Sequence, residues 1–153
     1  MASQAPRAPL PGAVLFACNF NRVRSPMAEA LLKRAVGDRV YVDSCGLKRE
    51  PGEPGEGADP FVRSVMEEIS VDLASHAPKT FDQLEDASFD LVISLTPEAQ
   101  HRAVEMTRGR AAEIEYWPTF DPTLADGSRE ARMAAYREVR DHLAKRIAER
   151  FPR

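Results

Sequence analysis

Two side chains six positions apart, Cys18 and Arg24, carry the chemistry that is legible in this chain of 153 residues. They bracket the stretch Cys18-Asn19-Phe20-Asn21-Arg22-Val23-Arg24-Ser25-Pro26. A tight loop entering a helix turns several backbone N–H groups toward one point, and the helix dipole adds partial positive charge there. Such a nest suits a tetrahedral oxyanion, with Asn19, Phe20, Asn21, Arg22, Val23 and Ser25 around it and Arg24 clasping two of its oxygens. The same field favours a thiolate at Cys18. A thiolate beneath a bound phosphate is a nucleophile aimed at phosphorus. The plainer reading of the same residues is a buried structural cysteine ahead of an ordinary helix.

The flanking segments have the patterns needed to position that loop. Ala13-Val-Leu-Phe-Ala17 is a short apolar run of buried-strand type. Met27 to Val36 has apolar residues at 27, 31 and 35 at helical spacing, with Ser25 as N-cap and Pro26 in the first turn. Arg39–Ser44 alternates as a second strand, closed by Cys45-Gly46. Residues 47–58 are rich in glycine and proline and must be loop. That loop leaves the same sheet edge as Cys18, so Lys48 and Arg49 read either as rim residues attracting anions or as a solvated pair. Asp59-Pro60 opens a second helix with Phe61, Val62, Val65, Met66 and Ile69 on one stripe, and Lys79–Leu84 reads as a short helix. Phe89–Leu95 is a third strand, followed by a helix capped by Thr96-Pro97 that runs to about Met106. Ala112–Trp117 is a weaker edge strand, and Gly127–Phe151 closes the chain as a long helix with Tyr136, Val139, Leu143, Ile147 and Phe151 inward. Four strand–helix alternations predict a single α/β domain: a doubly wound, four-stranded parallel sheet of flavodoxin-like type with helices on both faces. Ligands of such sheets bind beyond the carboxyl ends of the strands.

Composition narrows the partners. A net charge of −3 gives no reason to expect nucleic acid or an acidic membrane. Two cysteines argue against a disulfide framework and for a reducing, cytoplasmic setting. No apolar run approaches the ~18 residues of a membrane span. Residues 1–11 read as a disordered leader and 12–153 as the domain.

The extended pattern, Cys-(five residues)-Arg-Ser-Pro-Met-Ala-Glu-Ala after an apolar strand near the N-terminus, resembles the low-molecular-weight protein tyrosine phosphatases. The thioredoxin-coupled arsenate reductases share that fold. The likeness runs from Ala13 to Phe151 and implies two-step hydrolysis of a phosphotyrosine or related aryl phosphate, with no metal and no cofactor. Cys18 would attack phosphorus, and Arg24 and the loop amides would stabilise the equatorial oxygens. Asp121, in the Asp-Pro after the last strand, would protonate the leaving oxygen and then help activate water. Ser25 would donate a hydrogen bond to the Cys18 sulfur. Ser44 would help hold the loop asparagine, and His76 would join the network supporting the loop. Taken alone, Ser44 reads equally as an ordinary strand-ending serine and His76 as a surface or core histidine. Asp-Pro is also a common turn initiator, as Asp59-Pro60 illustrates. The implied partner is a phosphorylated protein or a small phosphoester.

Departures from the family bear on the substrate. Phe20 stands where the loop usually has glycine, which removes backbone freedom and adds bulk. Val23 replaces the second cysteine that many members carry before the arginine. Thr123 and Leu124 follow the Asp-Pro where aromatic residues often line the ring pocket. Cys45 can either approach Cys18 and form a reversible disulfide or serve as a small buried hydrophobe, the commoner role. No cysteine follows Cys45, so an arsenate reductase with its own three-cysteine relay is excluded. A reductase using an external thiol remains as an alternative, as does a non-catalytic oxyanion- or phosphopeptide-binding module.

Overall fold

Val14, Leu15, Phe16 and Ala17 are fully buried, and the rest of the molecule is layered around the strand they form. The computed structural model describes residues 9–85 and 88–152. Strand β1, Ala13–Cys18, pairs in parallel with β2, Tyr41–Gly46, on one side and with β3, Leu91–Ser94, on the other. Strand β4, Glu113–Tyr116, extends the sheet beyond β3, giving the order β2-β1-β3-β4 with every pair parallel. Helices α1 (Arg24–Val36), α2 (Pro60–Glu67) and α4 (Arg129–Arg150) form the layer on one face, and α3 (Pro97–Thr107) covers the other. Because both faces are covered, β1 is apolar at successive positions instead of alternating. The expected doubly wound α/β architecture is present.

The winding reverses between β1 and β3, so the crevice at their carboxyl ends is the natural ligand position. The loop after Cys18 lies there. The ladder also sets the length of β2. Residues 37–39 form a 3-10 turn, with Gly37 at φ +59°, so the strand runs over 41–46 instead of the expected 39–44. Lys79–Leu84 supplies one 3-10 turn, Phe81–Gln83, rather than a helix, and β3 is shorter at both ends than the apolar run 89–95. Of the expected leader, residues 1–8 lie outside the described residues, and Leu10 packs against the core.

Three helices start at side-chain caps: Asp59 accepts from the Phe61 amide, Thr96 from the Ala99 amide and Ser128 from the Ala131 amide. Tyr136, Val139, Leu143, Ile147 and Phe151 of the closing segment are buried as expected, and Arg150 reaches the outer strand through Glu115 at 2.6 Å. Among the described residues no helix is long and apolar enough to cross a membrane.

Candidate active site

The loop between β1 and α1 is held by its carbonyl groups. Cys18 O and Asn19 O accept from the amide of Leu47, Asn19 O also from Lys48, and Arg22 O from Asp59. Asn21 O accepts from His76 Nε2 at 2.8 Å, which requires the proton on that nitrogen. With these carbonyls turned outward, the loop can present its N–H groups to the concave side, where an oxyanion would sit. Helix α1 adds to this. Its cap position is Val23, with no side-chain cap, so its first N–H groups are left for a ligand. The expectation that Ser25 caps the helix is therefore corrected: Ser25 lies inside the first turn, and its hydroxyl is engaged within the loop.

Asn21 organises that interior. It is fully buried and adopts φ +58°, a left-handed conformation that asparagine tolerates better than most residues. Its amide nitrogen donates to Ser25 Oγ at 2.8 Å and Ser44 Oγ at 2.9 Å, and its Oδ1 accepts from the Lys79 amide at 3.0 Å. Ser44 in turn donates to Glu29. Ser25 Oγ accepts from Asn21 and lies 2.9 Å from Cys18 Sγ and 3.4 Å from Cys45 O, so its proton can reach either, and against a Cys18 thiolate, which can only accept, it is the Ser25 hydroxyl that donates. A hydroxyl aimed at sulfur stabilises negative charge there, both on an attacking thiolate and on a departing one. Asn19 is held separately, its Oδ1 accepting from Thr96 Oγ1 at 2.8 Å.

Arg24 and Asp121 come to the same small pocket as Cys18, along with Phe20, Val23 and Thr123. Arg24 donates through Nη1 to the Thr119 carbonyl at 3.0 Å, and its Nη2 lies 4.0 Å from Asp121 Oδ2. Asp121 precedes the 3-10 turn Pro122–Leu124. Its Oδ1 accepts from both the amide (3.0 Å) and the hydroxyl (2.7 Å) of Thr123. Oδ2 is thereby the oxygen left to carry or deliver a proton.

Three residues around the loop, Arg22, Phe20 and Cys45, have surroundings that the sequence left open, and Cys45 takes the commoner of its two readings, a buried hydrophobe. Arg22 lines the thiol pocket together with Glu50, and its guanidinium is engaged within the protein: Nε donates to Gly57 O at 2.9 Å and Nη1 pairs with Glu50. Phe20 is not among the described non-glycine residues with positive φ, Asn21 and Ser70, so the loop needs no glycine there, and its ring walls the pocket. Cys45 is fully buried and belongs to the cluster of Leu15 and Ala17, on the opposite face of the sheet from Cys18. The register explains this: Cys45 faces Ala17 and Gly46 faces Cys18, and neighbouring residues of a strand point to opposite faces. Burial, with Cys18 nearby, pushes the Cys45 thiol well above its ordinary range, which suits a hydrophobe and not a nucleophile.

Sequence reading gave no role to Gly46, Glu50 or Thr119, and it placed Thr123 at the ring pocket without its bonds to Asp121. A Cβ on Gly46 would lie 2.8 Å from Asn21 N and from Phe20 C, so only glycine lets the loop fold back over β2. Placing Cys45-Gly46 level with Cys18 would have pointed to it. Nothing local marks Thr119, which is 95 residues from Arg24.

Fold and loop together describe an α/β domain that can hold a tetrahedral oxyanion against a thiol. The chain belongs to the family described as "Low molecular weight phosphotyrosine protein phosphatase", which it matches over residues 13–151. It is 32% identical over 134 residues to an arsenate reductase of Halalkalibacterium halodurans, covering 88% of this chain and 91% of that protein. It is 35% identical over 123 residues to a low molecular weight protein-tyrosine-phosphatase of Streptomyces coelicolor, covering 74% and 72%. The crystal structure of the Erwinia amylovora tyrosine phosphatase amsI shares the fold, with a TM-score of 0.71 at 24% identity over 94% of this chain and 95% of that one.

Proposed function

We propose that this enzyme hydrolyses phosphate monoesters, phosphotyrosine or a related aryl phosphate, through a phosphocysteine. The observation that supports this reading best is the meeting of Cys18, Arg24 and Asp121 at one pocket, with Arg24 Nη2 4.0 Å from the Asp121 carboxylate. In the first step Cys18 Sγ bonds to phosphorus as the ester P–O bond breaks, and Asp121 Oδ2 hands its proton to the leaving oxygen. In the second, water attacks phosphorus and gives its proton to Asp121, while the S–P bond breaks and the sulfur departs as a thiolate held by Ser25. Arg24 and the loop amides carry the charge of the equatorial oxygens throughout.

A second reading, arsenate reduction with an external thiol, is favoured by the arsenate reductase relative from H. halodurans. It needs the nest and Cys18 but no leaving-group acid, and the chain's two cysteines cannot form a three-cysteine relay. Hydrolysis of p-nitrophenyl phosphate at mildly acidic pH separates the two. Turnover is expected to vanish in Cys18→Ser and to fall at least ~10²-fold in Asp121→Asn. Turnover indifferent to Asp121 would keep Cys18 as nucleophile and move the acid role to another residue. A folded protein that binds phosphate without turnover, yet reduces arsenate with added thiol, would establish the reductase.

A further inference from the structure

A cavity of about 580 Å³ adjoins the thiol pocket and shares Phe20, Arg22 and Glu50 with it as common wall. One side of this groove is the loop 49–57 and the other is the segment 74–78. Loop 49–57 has neither helix nor strand to shape it, and Gly52, Gly55 and Gly57 all take positive φ. What holds it is Arg22. The guanidinium, whose side chain is only 8% exposed, bonds Glu50 at the start of the loop and the Gly57 carbonyl at its end. The Arg22 carbonyl also accepts from the Asp59 amide just beyond. One residue of the anion loop therefore ties both ends of the groove wall to the site.

The charges on that wall are unequal. Glu50 is neutralised by Arg22. Arg49 and Arg63 line the groove, are exposed, and have no carboxylate partner among the described residues. Glu56 is the other carboxylate lining the cavity, and Glu53 stands on the same loop outside that lining. A chain of net charge −3 thus carries a local cationic patch next to its reacting centre.

We propose that this groove receives the polypeptide part of a phosphorylated protein and selects segments bearing carboxylates, with Arg49 and Arg63 as readers and Arg22 as the positioning residue that builds the wall. The proposal rests on the phosphatase reading. The groove joins the thiol pocket at Phe20, so the chain flanking a phosphorylated residue bound over Cys18 has this space beside it, and a volume within ~300–1,000 Å³ accommodates several side chains.

The test compares kcat/KM for p-nitrophenyl phosphate with that for two phosphotyrosyl peptides, identical except for Asp and Glu or Asn and Gln beside the phosphotyrosine. The acidic peptide is expected to lead by about fivefold, the sum of two exposed ion pairs. That lead should disappear near 1 M salt, where the screening length is ~3 Å. In Arg49→Ser/Arg63→Ser the preference is lost through KM. In Arg22→Met, and in Glu50→Gln should that variant fail to fold, the ratio of acidic peptide to aryl phosphate falls in the same direction. Equal rates on both peptides, with aryl phosphate turned over normally, would overturn the groove and leave the phosphatase standing. So would a preference for the neutral peptide. Failure on every phosphoester would remove the phosphatase reading, and the groove's role with it.

Discussion

A methyl group added at Gly46 would press on the backbone of Phe20 and Asn21 at 2.8 Å, and backbone cannot swing aside as a side-chain tip can. The loop would have to lift, carrying its amides away from the sulfur. Gly46→Ala is therefore expected to lower kcat/KM for an aryl phosphate by ~10²-fold, since a misplacement of ~1 Å at a reacting centre costs about that much. The melting temperature should move far less. Unchanged kinetics in a folded variant would show that the loop does not depend on this contact. The motif residues Cys18, Asn21, Arg24 and Ser25 were legible because they lie on one short segment. Gly46 was not, because its importance comes from a neighbouring strand.

Among the elements, α1 differs from α2, α3 and α4 in having no side-chain cap, and it is the helix that faces the thiol. Polar side chains elsewhere complete their helices, whereas Ser25 turns inward to sulfur. The packing of α2 on α4 is supported at the surface by Glu68, which accepts from Arg137 at 2.9 Å and from Arg140 at 2.9 Å. The bonds from Arg137, then those from Arg140, hold its carboxyl below the ordinary value of 4.5. A group whose folded value is depressed stabilises the protein above its unfolded value, and that contribution is lost as pH falls through the folded one. Wild type should therefore be more stable than Glu68→Gln near pH ~7, with the gap closing as pH falls below the ordinary carboxylate range. Urea denaturation of both proteins across that range measures it. A gap that persists or widens in acid would mean that the carboxylate's charge contributes nothing.

At the scale of the whole molecule, the sheet separates the two cysteines. Cys18 belongs to the larger core beneath α1 and α4, and Cys45 to the smaller one with Phe81, Val92 and Ala99, against α3. Cys45→Ala should leave aryl phosphate turnover within about twofold, a change of under ~0.5 kcal/mol in barrier. Peroxide treatment of wild type should produce no Cys18–Cys45 disulfide in a non-reduced digest analysed by mass spectrometry. Detection of that crosslink would require the strands to part and would restore the redox role.

By itself the order of residues determined the strand–loop–helix unit, the parallel class of the sheet, the caps of α2 and α3 and the inward stripe of α4. All are local: an apolar run, a helical period and a capping residue each act within a few positions of themselves. The tertiary structure decided the rest. It paired Arg22 with Glu50, 28 residues away, set Arg24 against Thr119, 95 residues away, and sent Cys45 to the far face. Those outcomes depend on strand register and on which surfaces meet when the core is buried. A one-residue shift in register would reverse them, and no local propensity encodes it.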